Sequence, residues 1–170
     1  MVATMISVLL VDDYPVIRHL MRKILERHSD IQVIGEADTG EEAVAQAARL
    51  KPAVVLIDIQ LPRMTGIQAT TVIKRDSPST TVIGLTAGAL DHTEPAMREA
   101  GAATVLNKED LLETLYPTIL EKDMLSKMSC HVPLNEFEQH CLEHYIAQLE
   151  TTYRDWTRRN DPTAKNKRVE

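Results

Sequence analysis

The sequence VLLVDDYP, residues 8–15, decides the fold and also raises the question of function. Its first four residues are apolar and typical of a short strand that is buried on both faces, so Asp12 and Asp13 follow where that strand leaves the core. Two adjacent carboxylates repel each other. Either the pair is a solvated turn that caps a helix, or it binds something positively charged.

Up to about residue 121, short runs rich in β-branched residues alternate with longer amphipathic stretches, which predicts repeated βα units around a parallel sheet. Successive strands lie roughly 25 residues apart, about the length of one crossover helix with two short loops. We therefore expect one twisted sheet with helices on both faces. The predicted strands are residues 7–11, 31–36, 53–57, 81–85 and 103–106, and the predicted helices are residues 15–28, 40–50, 66–76, 91–100 and 109 onward.

Polar side chains follow four of these strands. Asp12 and Asp13 follow the first strand, Asp58 the third, Thr86 the fourth and Lys108 the fifth. In an open α/β sheet, ligands bind at the carboxyl ends of the strands. The sequence therefore predicts that three carboxylates, a hydroxyl and an ammonium converge on one edge of the sheet.

Such a cluster indicates a divalent cation and a phosphoryl group. Three carboxylates within a few ångströms would raise the pKa of one of them sharply unless a cation held them, and oxygen ligands in an incomplete shell suit Mg²⁺. A cation between Asp58 and a phosphoryl oxygen would neutralise developing charge, while Lys108 and Thr86 reach the remaining oxygens. Asp58 is then the predicted nucleophile, which forms an aspartyl phosphate.

The motifs VLLVDDYP, VVLIDIQLPRMTG, GLTAG and LNKED, in this order and spacing, resemble the receiver domain of bacterial two-component response regulators, the CheY-like superfamily. The resemblance covers about residues 5–121, and the segment DIQVIGEADTGEEAVAQA is similar to receivers of the NarL type. It implies a flavodoxin-like, doubly wound α/β fold with five parallel strands in the order 2-1-3-4-5.

The resemblance also implies a role for six residues of this chain. Asp58 would be the phosphoacceptor, Thr86 the switch hydroxyl and Lys108 the ammonium that binds the phosphoryl group. The implied Mg²⁺ ligands are Asp12, Asp13, Asp58 and the main-chain carbonyl of Gln60. The phosphoryl donor would be a sensor histidine kinase or a phosphotransfer protein, and the chain would be a phosphoacceptor with at most slow autodephosphorylation rather than an enzyme.

Three further positions follow from the motifs. In receivers, a side chain shortly before the lysine rotates as Thr86 moves, and the position that is commonly Tyr or Phe is Val105 here. A small β-branched side chain cannot rotate between exposed and buried positions as an aromatic ring does. The coupling between Thr86 and residue 105 therefore stays open. Pro62 and Gly66 are interpreted as structural residues that shape a loop and start the next helix.

The length, composition, net charge and cysteine count exclude several classes of protein. The chain has 170 residues with 44% hydrophobic and 26% charged residues, which is typical of a globular protein, and no apolar run approaches a membrane span. The start lacks the pattern of a signal peptide, so we expect a cytoplasmic location. Residues 1–121 carry the whole net charge of −6 and make a poor nucleic-acid surface. Two cysteines, Cys130 and Cys141, exclude a disulfide framework.

The last fifty residues predict a different organisation. Pro117 predicts a kink or an early stop of the fifth helix near Tyr116. The receiver domain is therefore expected at residues 1–121, with a linker at 122–134, an amphipathic helix for packing or dimerisation at 135–159 and a basic flexible tail at 160–170. The apolar stripe of that helix recurs every three or four residues and consists of Phe137, Cys141, Tyr145, Leu149, Tyr153 and Trp156.

The role of this C-terminal segment stays open. The stripe could fold back on the receiver, bind a downstream protein or pair with a second copy. Residues 134–150 faintly resemble the start of a DNA-binding domain without continuing as one, so DNA binding by a truncated or degenerate output is the less favoured hypothesis. A zinc site at His140 and His144 lacks the paired ligand spacing of structural sites.

Two rival functions use the same acid cluster. A phosphatase of acyl phosphates would use Asp58 and Mg²⁺ for turnover, but the sequence shows no separate general acid near Asp58. A degenerate receiver would bind its partners without phosphorylation. The intact acid pair, together with Asp58, Thr86 and Lys108, argues against that second function.

Overall fold

The computed structural model describes residues 5–88, 90–129, 139, 140, 143 and 147. It divides the chain into two compact units, Met1–Val132 and Pro133–Glu170. The four described residues of the second unit are helical. The predicted helix at 135–159 and tail at 160–170 lie almost entirely outside the described residues, as do Cys130 and Cys141.

The first unit is a parallel sheet with helices between successive strands. The strand order is β2-β1-β3-β4-β5, so the predicted fold is confirmed. The strands are β1 (Ile6–Val11), β2 (Ile31–Ala37), β3 (Val54–Asp58), β4 (Thr81–Thr86) and β5 (Thr104–Asn107). The helices are α1 (Pro15–Leu25), α2 (Gly40–Leu50), α3 (Gly66–Asp76), α4 (Leu90–Glu99) and α5 (Leu111–Ser129), with a 3₁₀ turn at Lys108–Asp110.

The four apolar residues at 8–11 are consecutive because β1 is covered on both faces. Leu9 and Val11 pack into one layer of the core with side chains of α2 and α3, whereas Val8 and Leu10 pack into the other with side chains of α1 and α5. All four are fully buried. A strand with helices on both sides has no face for polar side chains, so charge can enter only at its end.

The strands end where the predicted site residues begin. β3, β4 and β5 each run one residue further than the sequence predicts, so that Asp58 and Thr86 are the last residues of their strands. β3 lies between β1 and β4, and its register pairs Asp58 with Leu85. The strand order therefore carries these residues to the same edge of the sheet.

Two helices begin and end as predicted because their caps are local. Thr39 precedes α2 and accepts a hydrogen bond from the amide of Glu42. Thr65 precedes α3 and forms a reciprocal capping box with Gln68. Each cap satisfies amides at the helix start that have no partner within the helix, so the sequence alone specifies where these helices begin.

Of the kink or early stop predicted near Tyr116, the early stop is wrong, while the linker predicted at residues 122–134 stays a prediction. α5 continues through Pro117 to Ser129. The proline and Glu113, whose carbonyl would otherwise accept its missing N–H, are both exposed, so water can satisfy that carbonyl. Buried side chains continue beyond it, among them Ile119 and Met124. Packing of this stripe thus outweighs the local cost of the proline.

No helix among the described residues is long and apolar enough to cross a membrane.

Gly66 provides a test of how tightly the site is built, because it packs against the main chain of the site itself. A Cβ at Gly66 would meet the main-chain carbonyl of Asp58 and lie 2.9 Å from the Cα of Ile59. We predict that Gly66→Ala lowers the free energy of unfolding by about 1–3 kcal/mol, as overpacking does. Urea denaturation measures this loss.

Gly88→Ala is the matched control, since the nearest described atom to its Cβ would be Thr86 Oγ1 at 3.8 Å, an ordinary contact distance. We expect the control to change the free energy of unfolding by less than about 0.5 kcal/mol. Equal losses for both variants would contradict the close approach at Gly66.

Candidate functional site

The end of the sheet brings together the three carboxylates that the sequence singled out. Asp12 directly follows β1, Asp13 is next to it and Asp58 ends the neighbouring strand β3. One carboxylate oxygen of each lies within 4.8 Å of the other two. Such a group has the size and the oxygen chemistry of a divalent cation site.

Lys108 follows the outer strand β5 and extends to this group of acids. Its Nζ lies 2.6 Å from Asp12 Oδ2 and 2.7 Å from Asp58 Oδ2. The 3₁₀ turn that it starts is capped by Asn107, whose side-chain oxygen accepts a hydrogen bond of 3.0 Å from the amide of Glu109. Because only 11% of the lysine side chain is exposed, the ammonium is held against the acids rather than extended into water.

Asp58 is buried with its two oxygens bound to different donors. Oδ1 accepts a hydrogen bond of 3.0 Å from the main-chain amide of Gln60, and Oδ2 accepts one from Lys108. Burial is the largest influence and raises the pKa of Asp58, the charge of Asp12 acts in the same direction, and the two hydrogen bonds only partly oppose them. For Lys108, burial opposes the charge, but the close contacts with Asp12 and Asp58 outweigh it and raise the pKa of the ammonium.

The two acids at the end of β1 differ in burial, and each has one buried oxygen without a hydrogen bond among the described residues, Asp12 Oδ2 and Asp13 Oδ1. Asp12 is fully buried, its Oδ1 accepts a hydrogen bond of 2.9 Å from the amide of Tyr14, and its Oδ2 faces Lys108. Asp13 is half-buried, and its Oδ1 is buried without a hydrogen-bond partner among the described residues. Carboxylate oxygens without a hydrogen bond in a cluster of three acids are suited to a hard cation, so these residues fit Mg²⁺.

The remaining predicted site residues lie at the same edge. Thr86 ends β4, is buried and accepts a hydrogen bond of 3.1 Å from the amide of Gly88. Gln60 contributes its amide to Asp58, while its side chain is exposed. Its carbonyl as a cation ligand stays a prediction.

Val105 is buried in β5. It occupies the position that the sequence comparison with receivers identified as commonly Tyr or Phe. It packs beside Gly84 of β4 and Met97 of α4: a Cβ added to Gly84 would lie 3.2 Å from Val105 Cγ2 and 2.8 Å from Met97 Cε. The absence of a side chain at Gly84 therefore makes room for both residues, and this position forms part of the core.

Arg18 of α1 also reaches the site, although no sequence motif pointed to it. Its Nη1 donates a hydrogen bond to the main-chain carbonyl of Asp12, and its Nε lies 3.3 Å from Glu36 Oε2. This contact cannot be predicted from a local sequence pattern. Arg18 reaches the carbonyl of Asp12 and the side chain of Glu36 only when α1 packs along the sheet.

Known proteins share both the sequence and the fold of this unit. The family model described as the response regulator receiver domain matches residues 8–119. A protein-glutamate methylesterase/protein-glutamine glutaminase 1 from Syntrophus aciditrophicus is 39% identical over 114 residues, which cover 66% of this chain and 33% of that protein. The response regulator protein VraR of Staphylococcus aureus is 35% identical over 132 residues, 72% of this chain and 63% of its own length. The chain thus spans a third to somewhat less than two thirds of these relatives.

Solved structures agree in fold. The response regulator domain of Thermotoga maritima CheB is similar with a TM-score of 0.63 and 28% identity, covering 70% of this chain and 96% of that one. The receiver domain of NarL from Mycobacterium tuberculosis has a TM-score of 0.62 with 24% identity, covering 68% and 96%, which supports the fold alone.

The electrostatics of the site make a prediction about stability. A carboxyl group whose pKa is raised by folding binds protons more readily in the folded state, so its ionised form destabilises the fold above the ordinary carboxyl pKa. We therefore expect Asp58→Asn to increase the free energy of unfolding near pH 7 in metal-free buffer, by on the order of 1 kcal/mol. Urea denaturation at several pH values measures the difference.

The same linkage fixes the direction of the pH dependence. The advantage of Asp58→Asn should disappear as the pH falls below the range in which Asp58 ionises, because both side chains are then neutral. Adding Mg²⁺ should stabilise the unaltered protein more than the variant, since the variant lacks one ligand charge. An advantage that is independent of pH would contradict the electrostatic origin.

Proposed function

The chain belongs to the response regulator receiver family of two-component signalling, and on this premise we propose that it accepts a phosphoryl group on Asp58 from a sensor histidine kinase or a phosphotransfer protein. The observation that carries the proposal is the position of Asp58: a buried carboxylate, bound by the ammonium of Lys108, in a group of three acids. We also predict that the protein acts in the cytoplasm.

The transfer that we propose is a nucleophilic displacement at phosphorus. A carboxylate oxygen of Asp58 forms the new bond to phosphorus while the bond from phosphorus to the donor nitrogen breaks, and its electron pair leaves with the donor's imidazole. The product is an aspartyl phosphate. The amide of Gln60 and the ammonium of Lys108 hold the carboxylate in one orientation, so little reorganisation is needed when the donor arrives.

Three carboxylates would hold Mg²⁺ in this site: Asp12, Asp13 and Asp58. When bound, Mg²⁺ would neutralise the negative charge that gathers between the acids and the phosphoryl oxygens. Lys108 lies against two of these acids and would be a second cation near the transferred group. Its raised pKa keeps it protonated in this role.

The donors on Asp58 favour an acceptor over a phosphatase. Among the contacts that the described residues make, Asp58 is bound by an ammonium and a main-chain amide. Neither can take a proton from water, because Lys108 stays protonated and an amide is no base. Neither of these two donors could therefore activate a water for hydrolysis of the aspartyl phosphate, which favours an acceptor over a phosphatase.

We propose that Thr86 transmits the state of Asp58. Its hydroxyl is buried at the end of β4 and engaged with the amide of Gly88 at the start of the loop that leads to α4. A bond from this hydroxyl to a phosphoryl oxygen would replace that contact and shift the loop. Val105 would follow by repacking against Gly84, a smaller change than an aromatic rotation.

The output of the signal rests on the second unit. We propose that the apolar stripe predicted at residues 135–159 binds a downstream protein or a second copy of the chain. The residues of this stripe lie outside the described part of the chain, and DNA binding by a truncated output stays the rival hypothesis. A protein of the length of VraR or the methylesterase contains parts that this chain does not match.

Phosphorylation gives the direct test. Incubation with Mg²⁺ and a small phosphodonor such as acetyl phosphate should add one phosphoryl group to the unaltered protein, measured by intact-protein mass spectrometry. The modification should be acid- and hydroxylamine-labile, as an acyl phosphate is. Asp58→Ala should remain unmodified because the nucleophile is absent.

Asp110→Ala is the matched control, since Asp110 is an exposed aspartate at the same end of the sheet. It should be modified as fast as the unaltered protein. Modification of Asp58→Ala at the normal rate, or release of inorganic phosphate with rapid turnover by the unaltered protein, would refute the proposal.

A further inference from the structure

Two arginines of α1 share one glutamate of β2 but differ in a second contact. Arg22 Nε lies 2.6 Å and Arg18 Nε 3.3 Å from opposite oxygens of Glu36. Arg18 also donates a hydrogen bond from Nη1 to the main-chain carbonyl of Asp12, and its side chain is only 16% exposed, half the value for Arg22. One guanidinium thus connects the glutamate to the acid cluster, and the other does not.

The contact to Asp12 completes the fixation of its backbone. The amide of Asp12 donates a hydrogen bond of 3.1 Å to the carbonyl of Ala37, which extends the pairing of β1 with β2 by one residue. Its carbonyl is held by Arg18. Beyond this peptide the chain leaves the sheet, so the direction of Asp13 is set by these two bonds together with the bond from the amide of Tyr14 to Asp12 Oδ1.

We infer that Arg18 is a positioning residue for the cation site: it holds the peptide between Asp12 and Asp13 so that both carboxylates face Asp58, and Glu36 orients it for this purpose. The inference rests on the proposed function only in requiring a divalent cation at these acids. Arg18 contacts the main chain of Asp12, so it acts through the acid pair and touches neither the cation nor the phosphoryl group. Removing a group that orients metal ligands in this way commonly lowers metal affinity by about 10–100-fold.

Charge and position predict opposite signs for the loss of Arg18. If Arg18 acted only as a nearby positive charge, its removal would strengthen the binding of Mg²⁺, because a repulsion between cations would be lost. If it positions the acid pair, its removal weakens binding because the ligands lose their alignment. The direction of the change therefore distinguishes the two roles.

The experiment compares Arg18→Gln with Arg22→Gln in the full chain by isothermal titration with MgCl₂. Both variants remove one guanidinium from the same helix and the same glutamate, and only the first removes the contact to Asp12. We expect the Kd for Mg²⁺ to rise about tenfold in Arg18→Gln. It should stay within about twofold of the unaltered protein in Arg22→Gln, because the contacts of Arg22 among the described residues are to Glu26 and Glu36 and not to the acid pair.

Glu36→Gln tests the second half of the inference. We expect it to weaken Mg²⁺ binding by less than Arg18→Gln does, and the double variant to bind as Arg18→Gln binds, because the two residues act in series. Arg18→Lys keeps the positive charge, but an ammonium lacks the planar guanidinium that contacts both the carbonyl of Asp12 and Glu36. We expect this variant to bind Mg²⁺ about threefold more weakly than the unaltered protein. This variant carries the test if Arg18→Gln does not fold.

A readout without any cation completes the test. The amide of Tyr14 donates to Asp12 Oδ1, so its hydrogen exchange in metal-free buffer reports the order of this segment. It should become about tenfold faster in Arg18→Gln and remain unchanged in Arg22→Gln.

Several outcomes would overturn the inference: unchanged or tighter binding of Mg²⁺ by Arg18→Gln, equal weakening in both arginine variants, or no Mg²⁺ binding by the unaltered protein. Failure of the proposed function looks different, since the unaltered protein would then bind Mg²⁺ and still take no phosphoryl group. Phosphorylation of Arg18→Gln should recover its normal rate at saturating Mg²⁺, as expected of a residue that acts on cation affinity.

Discussion

The ammonium of Lys108 between Asp12 and Asp58 is the interaction on which the site depends. Three carboxylates gathered at the end of a buried sheet repel each other in a medium that screens charge poorly. Lys108 compensates one of the three charges through contacts of 2.6 and 2.7 Å, and the others remain. A group of this kind is a poor source of stability, because apolar side chains of similar volume would stabilise such a place as well or better. Its arrangement agrees with the proposed binding of a cation and a phosphoryl group.

The sheet explains how charges can be concentrated without disrupting the core. Residues 8–11 of β1 and 54–57 of β3 are apolar and covered on both faces, and carboxylates follow at the carboxyl ends of these segments. The order β2-β1-β3-β4-β5 then brings Asp12, Asp58 and Thr86 to one edge, although more than seventy residues separate the first from the last. Gly66 closes the loop behind Asp58 by allowing α3 to start directly against its main chain. Core and proposed site are thus specified by the same strands, and the proposed site lies where these strands end.

Features that depend on short stretches of sequence were predictable, and features that depend on distant contacts were less so. The caps Thr39 and Thr65 placed α2 and α3 correctly because they satisfy amides within a few residues. The rule that proline breaks helices failed at Pro117, because α5 has a buried stripe on the opposite side from the exposed proline. A local penalty of a few kcal/mol is offset when several apolar side chains beyond it are buried.

The sequence by itself determined the fold class, the edge of the sheet that carries the proposed site and the identity of the acids, because apolar runs that end in charged residues can be recognised without knowing their neighbours. Only the tertiary structure decided which atoms meet. Lys108 and Asp58 are fifty residues apart, and Arg18 reaches the carbonyl of Asp12 only once α1 lies along the sheet beside Glu36. These contacts are set by the packing of helices on strands, and the pattern of the chain does not contain the direction of an individual side chain.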